Sequence, residues 1–565
     1  MNDLPEGPLR LGPVLRYVDA TSATVWVETR GAAEVVVEAG DVTARASTFT
    51  AHGHHYALVE VAGLPPGTPT PYRVLVDGAV VWPPDDDDLA DFPPPVIPTL
   101  EPGKPLRVAF GSCRVSVSHD EQGNSDFGVD ALRAFALRMA GLTGEPEAWP
   151  DLVVFLGDQV YADDTSPKMK EFIAARRDPS EPPWTELKDY DEYAHLYRLA
   201  WSDPANRWLL STLPSLMIFD DHDIRDDWNT SLQWRQEMEA TDWWHERVVA
   251  GLGSYWVHQH LGNLGPADRD EDALWQRIAT YDGPGELDIT EELDRLADLA
   301  DRKPDSYRWS YSRDFDTQAR LVVVDSRAAR VLEPGKRSML DDEELAWLDG
   351  RMRGDVDHLI VGTSLPVLLA PALHHVEAAG EALAEGAFGK LGGRFGEWLR
   401  KTADFEHWAA FQEGFVGLAT MTLEVASGRR GRAPRSVVFL SGDVHHSYVA
   451  QAEPDPATGE TFDSLVVQAT CSPIRNPLPG WMKAFLNVAA RGRARPTGRL
   501  LAGKVPRSPL RWALTSGPWY DNSLAVLEVR EDRLRFRWSR GEVREGRHDR
   551  PTLHPVATVE VPTSS

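Results

Sequence analysis

Apolar and polar positions follow two different rhythms along this chain, and the change falls near residue 100. Before it, short runs rich in β-branched and aromatic residues recur at Thr24–Glu28, Glu34–Glu38, His55–Val61 and Tyr72–Val76, which is the pattern of half-buried strands. Turn residues separate them, most clearly in Leu64-Pro65-Pro66-Gly67-Thr68-Pro69. Beyond residue 105 the apolar runs become continuous, and each ends in polar residues: Arg107–Gly111, Asp151–Gly157, Ser215–Asp220, Arg320–Asp325, Leu359–Thr363 and Val437–Gly442. Continuous runs predict strands buried on both faces, and the helical patterns Tyr190–Leu199 and Asp341–Arg351 fall between them. Thr241–Asp301 and Leu373–Ser427 read as long, partly helical insertions placed to cap a site. Strand patterns at Ser523–Arg530 and Arg533–Arg540 close the chain, and there is no internal repeat.

Two rhythms in 565 residues predict two domains. Residues 1–98 are expected to form a small all-β immunoglobulin/fibronectin-like sandwich that ends in the Pro-rich, acidic stretch Trp82–Pro98, read as a linker. Residues 105–565 are expected to form an α/β (α+β) catalytic domain. A formal net charge of −28 argues against general nucleic-acid binding and against attraction to anionic membranes. No apolar run is long enough to span a bilayer. With no signal-peptide pattern and only two cysteines, Cys113 and Cys471, a reducing, cytoplasmic location is expected. One stretch opposes the acidic trend: from Lys483 to Arg511, with Arg491, Arg493, Arg495, Arg499, Lys504 and Arg507, no acid intervenes.

Four strand ends carry the candidate chemistry: Gly111-Ser112-Cys113-Arg114; Gly157-Asp158-Gln159-Val160-Tyr161; Asp220-Asp221-His222-Asp223; and Gly442-Asp443-Val444-His445-His446. Each sets oxygen, nitrogen or sulfur donors directly after an apolar strand, at the edge of a sheet where sites form. A two-metal hydrolase needs a carboxylate shared by both cations, ligands on either side, and a proton donor near the leaving oxygen.

In their order and co-occurrence these segments resemble the successive motifs of the calcineurin-like metallophosphoesterase superfamily, in its PhoD-like alkaline phosphatase variant. The resemblance covers residues 105–530. It implies a layered β-sandwich flanked by helices, with Asp158 bridging two metals. Tyr161 follows at the spacing of the ferric-iron tyrosine in purple acid phosphatases. Asp221-His222 stands in place of the superfamily's Asn-His, as metal ligand and catalytic histidine, and Asp443-Val444-His445 where His-x-His is usual. Cys113 replaces the usual Asp-x-His of the first strand. One position departs: where a histidine before proline is usual, this chain has Ser364-Leu365-Pro366, and Ser364 suits a hard cation directly or through water. The resemblance implies a binuclear or larger centre, with iron on the Cys113/Tyr161 side and calcium as partner.

Weighed singly, Asp220 and Asp223 read as supports behind Asp221, because carboxylates packed around His222 repel unless a cation or arginine neutralises them. Cys113 reads as a thiolate ligand and Cys471 as buried filler. Arg114 is assigned to substrate binding, with an ion-pair role equally open. The expected reaction is hydrolysis of a phosphate monoester or diester by a metal-bound hydroxide, with His222 as the acid. Two rivals stay open. One is a nucleotide or nucleic-acid phosphodiesterase served by the basic stretch. The other is a non-catalytic binding protein with a degenerate metal site. Since every proposed ligand lies beyond Leu106, loss of residues 1–98 is expected to spare the site.

Overall fold

The computed structural model describes residues 7–84, 89–146, 148–384, 406–480, 482–483 and 507–563. Its first strands pair as their alternation demands. Leu9–Val18, Ser22–Thr29, His54–Ala62 and Phe49–Ala51 make one antiparallel sheet; Val42–Ser47, Glu34–Ala39, Pro69–Val76 and Ala79–Trp82 make another. Val25, Val27, Val59 and Val61 of the first share a core with Val35, Val37 and Val74 of the second. The opposite face of the first sheet is also buried. Leu11, Val14, Trp26, Phe49, Tyr56 and Leu58 enter the core of the following region, where Trp26 lies 6.2 Å from Trp201 and 5.3 Å from His258, ring centre to ring centre. Arg16, fully buried, reaches through to the Asn263 side chain at 3.0 Å and the Gln259 carbonyl.

The stretch read as a linker is docked, among its described residues. Val96–Pro98 pairs with Pro69–Val76, Phe92 lies 5.5 Å from Trp208, and the Trp208 indole N–H donates to the Pro93 carbonyl at 2.8 Å. Its prolines, which cannot donate ladder hydrogen bonds, leave carbonyls free to accept them.

The strands from Arg107 onward, apart from Leu287–Asp288, form two facing sheets. The first runs Ser215–Ile218, Leu152–Leu156, Arg107–Gly111, Leu524–Val529, Arg533–Glu542, Thr552–Pro562, its first three strands mutually parallel. The second runs Tyr311–Phe315, Ala319–Val324, His358–Thr363, Ser436–Ser441, Leu465–Thr470, Ser447–Pro454, Leu510–Trp519, with four consecutive parallel strands from Ala319–Val324 to Leu465–Thr470. Phe110, Val154, Leu156 and Ile218 meet Val323, Ile360, Val438, Leu440 and Val467 between them. Helices cover both outer faces, which is why the strands read as continuously apolar. Ala131–Met139, Tyr190–Trp201, Pro204–Thr212 and Asp342–Arg351 each start at an aspartate, Asp130, Asp189, Asp203 and Asp341, whose carboxylate accepts first-turn N–H groups.

The insertion Thr241–Asp301 takes a different place from the one expected. Its helix Trp244–Tyr255 and the turns that continue it pack against Met217 and Phe219 on the outer face of the first sheet. Its strand Leu287–Asp288 extends the N-terminal sheet beside Phe49–Ala51. The apolar face of the helix Trp244–Tyr255, with Val248, Leu252 and Tyr255, is buried there, which removes its surface from water. Among the described residues no helix is long and apolar enough to cross a membrane.

Candidate metal centre

Parallel strands end at a common edge, and here both sheets bring their carboxyl ends together. Gly157, at φ +102°, lies in a close approach between them: a Cβ there would lie 2.7 Å from Asp220 Cβ and 3.1 Å from Ser364 Cβ. Only glycine fits. The next residues turn sharply, with Cys113, Asp158 and Asp443 at φ 57°, 49° and 63°. A left-handed conformation is costly for cysteine and is held where the surrounding structure enforces it.

These turns aim donors at one point. Cys113 Sγ lies 3.3 Å from Asp158 Oδ2, and the Tyr161 hydroxyl lies 3.4 Å from the same oxygen. Ligand atoms of Cys113, Asp158 and Asp443 fall within 4.8 Å of one another, and so do those of Asp158, Asp220 and Asp221. Asp158 belongs to both groups. A third group, Asp221, His222 and Asp226, continues toward the surface.

Electrostatics test whether such a centre suits a cation. Burial pushes the Asp158 carboxyl well above the usual range; Asp220, Asp221 and Asp223 add to the shift and His222 opposes it. Burial likewise raises the Cys113 thiol, with Asp158 and Asp443 adding, and the Tyr161 phenol, with Cys113 and Asp158 adding. Asp158 Oδ1 and Asp220 Oδ2 are buried with no hydrogen-bond partner. Acids crowded this way either keep their protons or share cations, and orphaned carboxylate oxygens are what cations satisfy. The residues fit metal ions.

His222 sits at the rim with a quarter of its side chain exposed. Its Nδ1 lies 2.9 Å from Asp163 Oδ1, and its ring is 4.7 Å from that of Tyr161. Burial disfavours its charged form, yet Asp163 and Asp221 outweigh that, and its pKa is raised well above the usual value. Asp223 supports the centre from below. It accepts the backbone N–H groups of Asp158 and Asp220 at 3.0 Å, and Gln259 donates to it at 3.2 Å.

Three residues singled out from the sequence stand outside the three groups of ligand atoms, although Ser364 and His445 lie close beside them. Arg114 is buried, with Nε and Nη2 on Asp130 at 3.0 and 2.8 Å and Nη1 on the Ala200 carbonyl at 2.9 Å. The ion pair takes its donors, so the substrate-binding assignment gives way to a structural one. Ser364 pairs with Ser326 at 2.7 Å and His445 donates its backbone N–H to Ser472 at 3.2 Å; neither joins the three groups of ligand atoms. His446 bonds the Val444 carbonyl at 2.6 Å and stacks on Tyr448. Of the basic stretch, residues 484–506 lie outside the described residues, and Arg511 pairs with Glu453 at 2.6 Å.

Sequence reading missed four contributors. Asp163, five residues after Asp158, orients His222. Arg327 is fully buried and bonded to Asp220 and Glu406, with Asp221 at 3.2 Å, so it neutralises the carboxylates on one side. Its signal was present, since Asp325-Ser326-Arg327 follows the strand Ala319–Val324 as the other motifs follow theirs. Glu406 and His407 come from the second insertion, and no local pattern marks them.

Two facing sheets with an acid, thiol and phenol centre at their shared edge, together with the similarities below, define a mixed α/β hydrolase of phosphoric esters. The chain belongs to the PhoD-like phosphatase family, whose sequence model matches residues 140–495. Residues 6–97 match a domain of unknown function, DUF7800. Among solved structures, one described as "Structure of PhoD" aligns with 98% of this chain and 90% of its own, at 13% identity and a TM-score of 0.57, a likeness of fold. An alignment with the type III pullulan hydrolase from Thermococcus kodakarensis covers 97% of each chain at 10% identity, but its TM-score of 0.13 carries no argument. No curated protein matches the sequence.

Proposed function

We propose that the chain hydrolyses phosphate esters at a metal centre organised around Asp158. The observation that carries this reading is that Asp158 belongs to both ligand groups, which is the position of a carboxylate shared by two cations. Cys113, Tyr161 and Asp443 would hold one ion, and Asp221 with Asp220 the other. When bound, the ions supply positive charge for the phosphoryl oxygens and for activating water. Thiolate and phenolate suit iron, and the carboxylate side suits calcium.

His222 is the proton donor in this reading. Nδ1 donates to Asp163, which keeps the ring in one orientation and favours its charged form; Nε2, with Asp226 Oδ1 3.8 Å away, is the nitrogen that protonates the leaving oxygen. His222→Ala is expected to lower turnover by about 10²–10⁴-fold on alkyl phosphates, with metal content unchanged. The loss should shrink with nitrophenyl esters, whose leaving group needs no proton. Equal losses on both substrates would remove His222 from this role.

We read residues 1–98 as an immunoglobulin/fibronectin-type sandwich and 105–565 as the catalytic domain, in a cytoplasmic protein. The shared core of the two N-terminal sheets and the separate family matches support the division.

Protein purified without chelators should carry metal by elemental analysis and hydrolyse nitrophenyl phosphate and bis-nitrophenyl phosphate. Chelation should stop turnover, and added iron and calcium should restore it. If iron occupies the Cys113/Tyr161 side, aerobically purified protein should show a visible band that reduction bleaches. Full activity in metal-free protein would overturn the proposal.

A further inference from the structure

The second insertion places one more donor at the centre. His407 stands at the start of a short turn, Trp408–Ala410, that precedes the helix Gln412–Ala426, and its side chain is 12% exposed. Nδ1 lies 2.9 Å from Glu377 Oε1, on the helix Pro371–Ala384. Through that contact Nδ1 donates to the Glu377 carboxylate, and Nε2 faces the other way. Nε2 lies 3.3 Å from Asp443 Oδ2, yet it is buried and makes no hydrogen bond of acceptable geometry. Two donors on one tetrahedral cation, each about 2.0–2.2 Å from it, stand about 3.4 Å apart. The separation and the missing hydrogen bond therefore match a pair of ligands.

We propose that His407 is a metal ligand beside Asp443, oriented by Glu377 and contributed by the insertion. It supplies the nitrogen donor that Ser364 does not. The neighbouring Glu406 bonds Arg327, which in turn holds Asp220, so two consecutive residues tie the insertion to both sides of the centre. The described residues Glu406 and His407 of the insertion are thus part of the site. This inference rests on the metal-centre reading above.

Zinc alone serves as the probe, with the full-length chain. In crystals of wild-type protein soaked with zinc, an anomalous peak is expected within about 2.0–2.2 Å of His407 Nε2 and of an Asp443 oxygen. In solution, chelator competition should show zinc affinity falling on the order of 10–100-fold for Glu377→Gln. His407→Ala should lose at least as much, with an unchanged circular-dichroism spectrum in the absence of zinc. A zinc peak among Cys113, Asp158 and Asp443 with His407 Nε2 more than about 3 Å away would overturn the inference and leave the metal centre standing. Unchanged affinity in both variants would do the same. No zinc binding by the wild-type chain would instead reject the metal centre itself.

Discussion

Asp158→Asn is expected to abolish turnover and empty the centre of metal, while leaving the metal-free protein at least as stable as the wild type. The substitution keeps shape and removes only charge. Asp158 is fully buried, its Oδ1 has no partner, and it faces Asp220, Asp221 and Asp223. In the absence of cations its raised pKa means that ionising it costs folding free energy. A neutral amide avoids that cost, so the metal-free thermal midpoint should hold or rise. With cations the sign reverses, because the shared charge that binds them is gone. Ligand binding at 100 times Kd stabilises a protein by about 2.7 kcal/mol, and this increment should vanish in the variant. Turnover should fall by more than the roughly 10²–10³-fold that loss of one charge-stabilising donor costs. Elemental analysis, steady-state hydrolysis and melting curves with and without metal read all three effects. An active variant holding two full-occupancy metals would sink the assignment of Asp158.

A chain beginning at residue 99 is expected to lose cooperative folding, with its metal centre. The sequence alone suggested the opposite, since every proposed ligand lies beyond Leu106. The structure changes the expectation because Leu11, Val14, Trp26, Phe49, Tyr56 and Leu58 form one wall of the neighbouring core. At about 1.5–3 kcal/mol for each large apolar side chain removed from its buried position, the loss is of the order of 10 kcal/mol. That rivals the entire 5–15 kcal/mol stability typical of a domain. Arg16 and its bonds to Asn263 and Gln259 would go as well, beside the helix whose Gln259 supports Asp223. Expression, size-exclusion chromatography and metal content of residues 99–565 test this. A soluble monomer with wild-type metal content would show that the N-terminal sheets are dispensable to the site.

Much of the centre was legible because its chemistry is written at strand ends. An apolar run states where a buried strand stops, and the residues that follow must emerge at a sheet edge. Cys113, Asp158, Tyr161, Asp221 and Asp443 were all found this way, and the structure brings them together. The paired N-terminal strands and the helices capped by Asp189 and Asp341 were equally visible, since turn chemistry and capping act within a few residues.

What stayed hidden depended on partners distant in the chain. A hydrophobic pattern tells which face of a strand is buried, not what buries it. Hence the strand Ser22–Thr29 read as half-buried in a separate sandwich, when it is buried from Ala23 to Thr29 and Trp26 packs on Trp201 and His258. Arg114 carries the same charge whether it clamps phosphate or pairs with Asp130, and only the approach of the helix Ala131–Met139 decided for Asp130. His407 and Glu406 lie between the helical stretches of an insertion, where no motif marks them, and reach Asp443 and Arg327 through folding alone. By itself the sequence determined the residue types at the strand ends, because backbone periodicity and local donors are short-range properties. Tertiary structure decided which of those ends meet, which charges neutralise one another and which insertion completes the site, because burial and electrostatics depend on neighbours that only packing brings into contact.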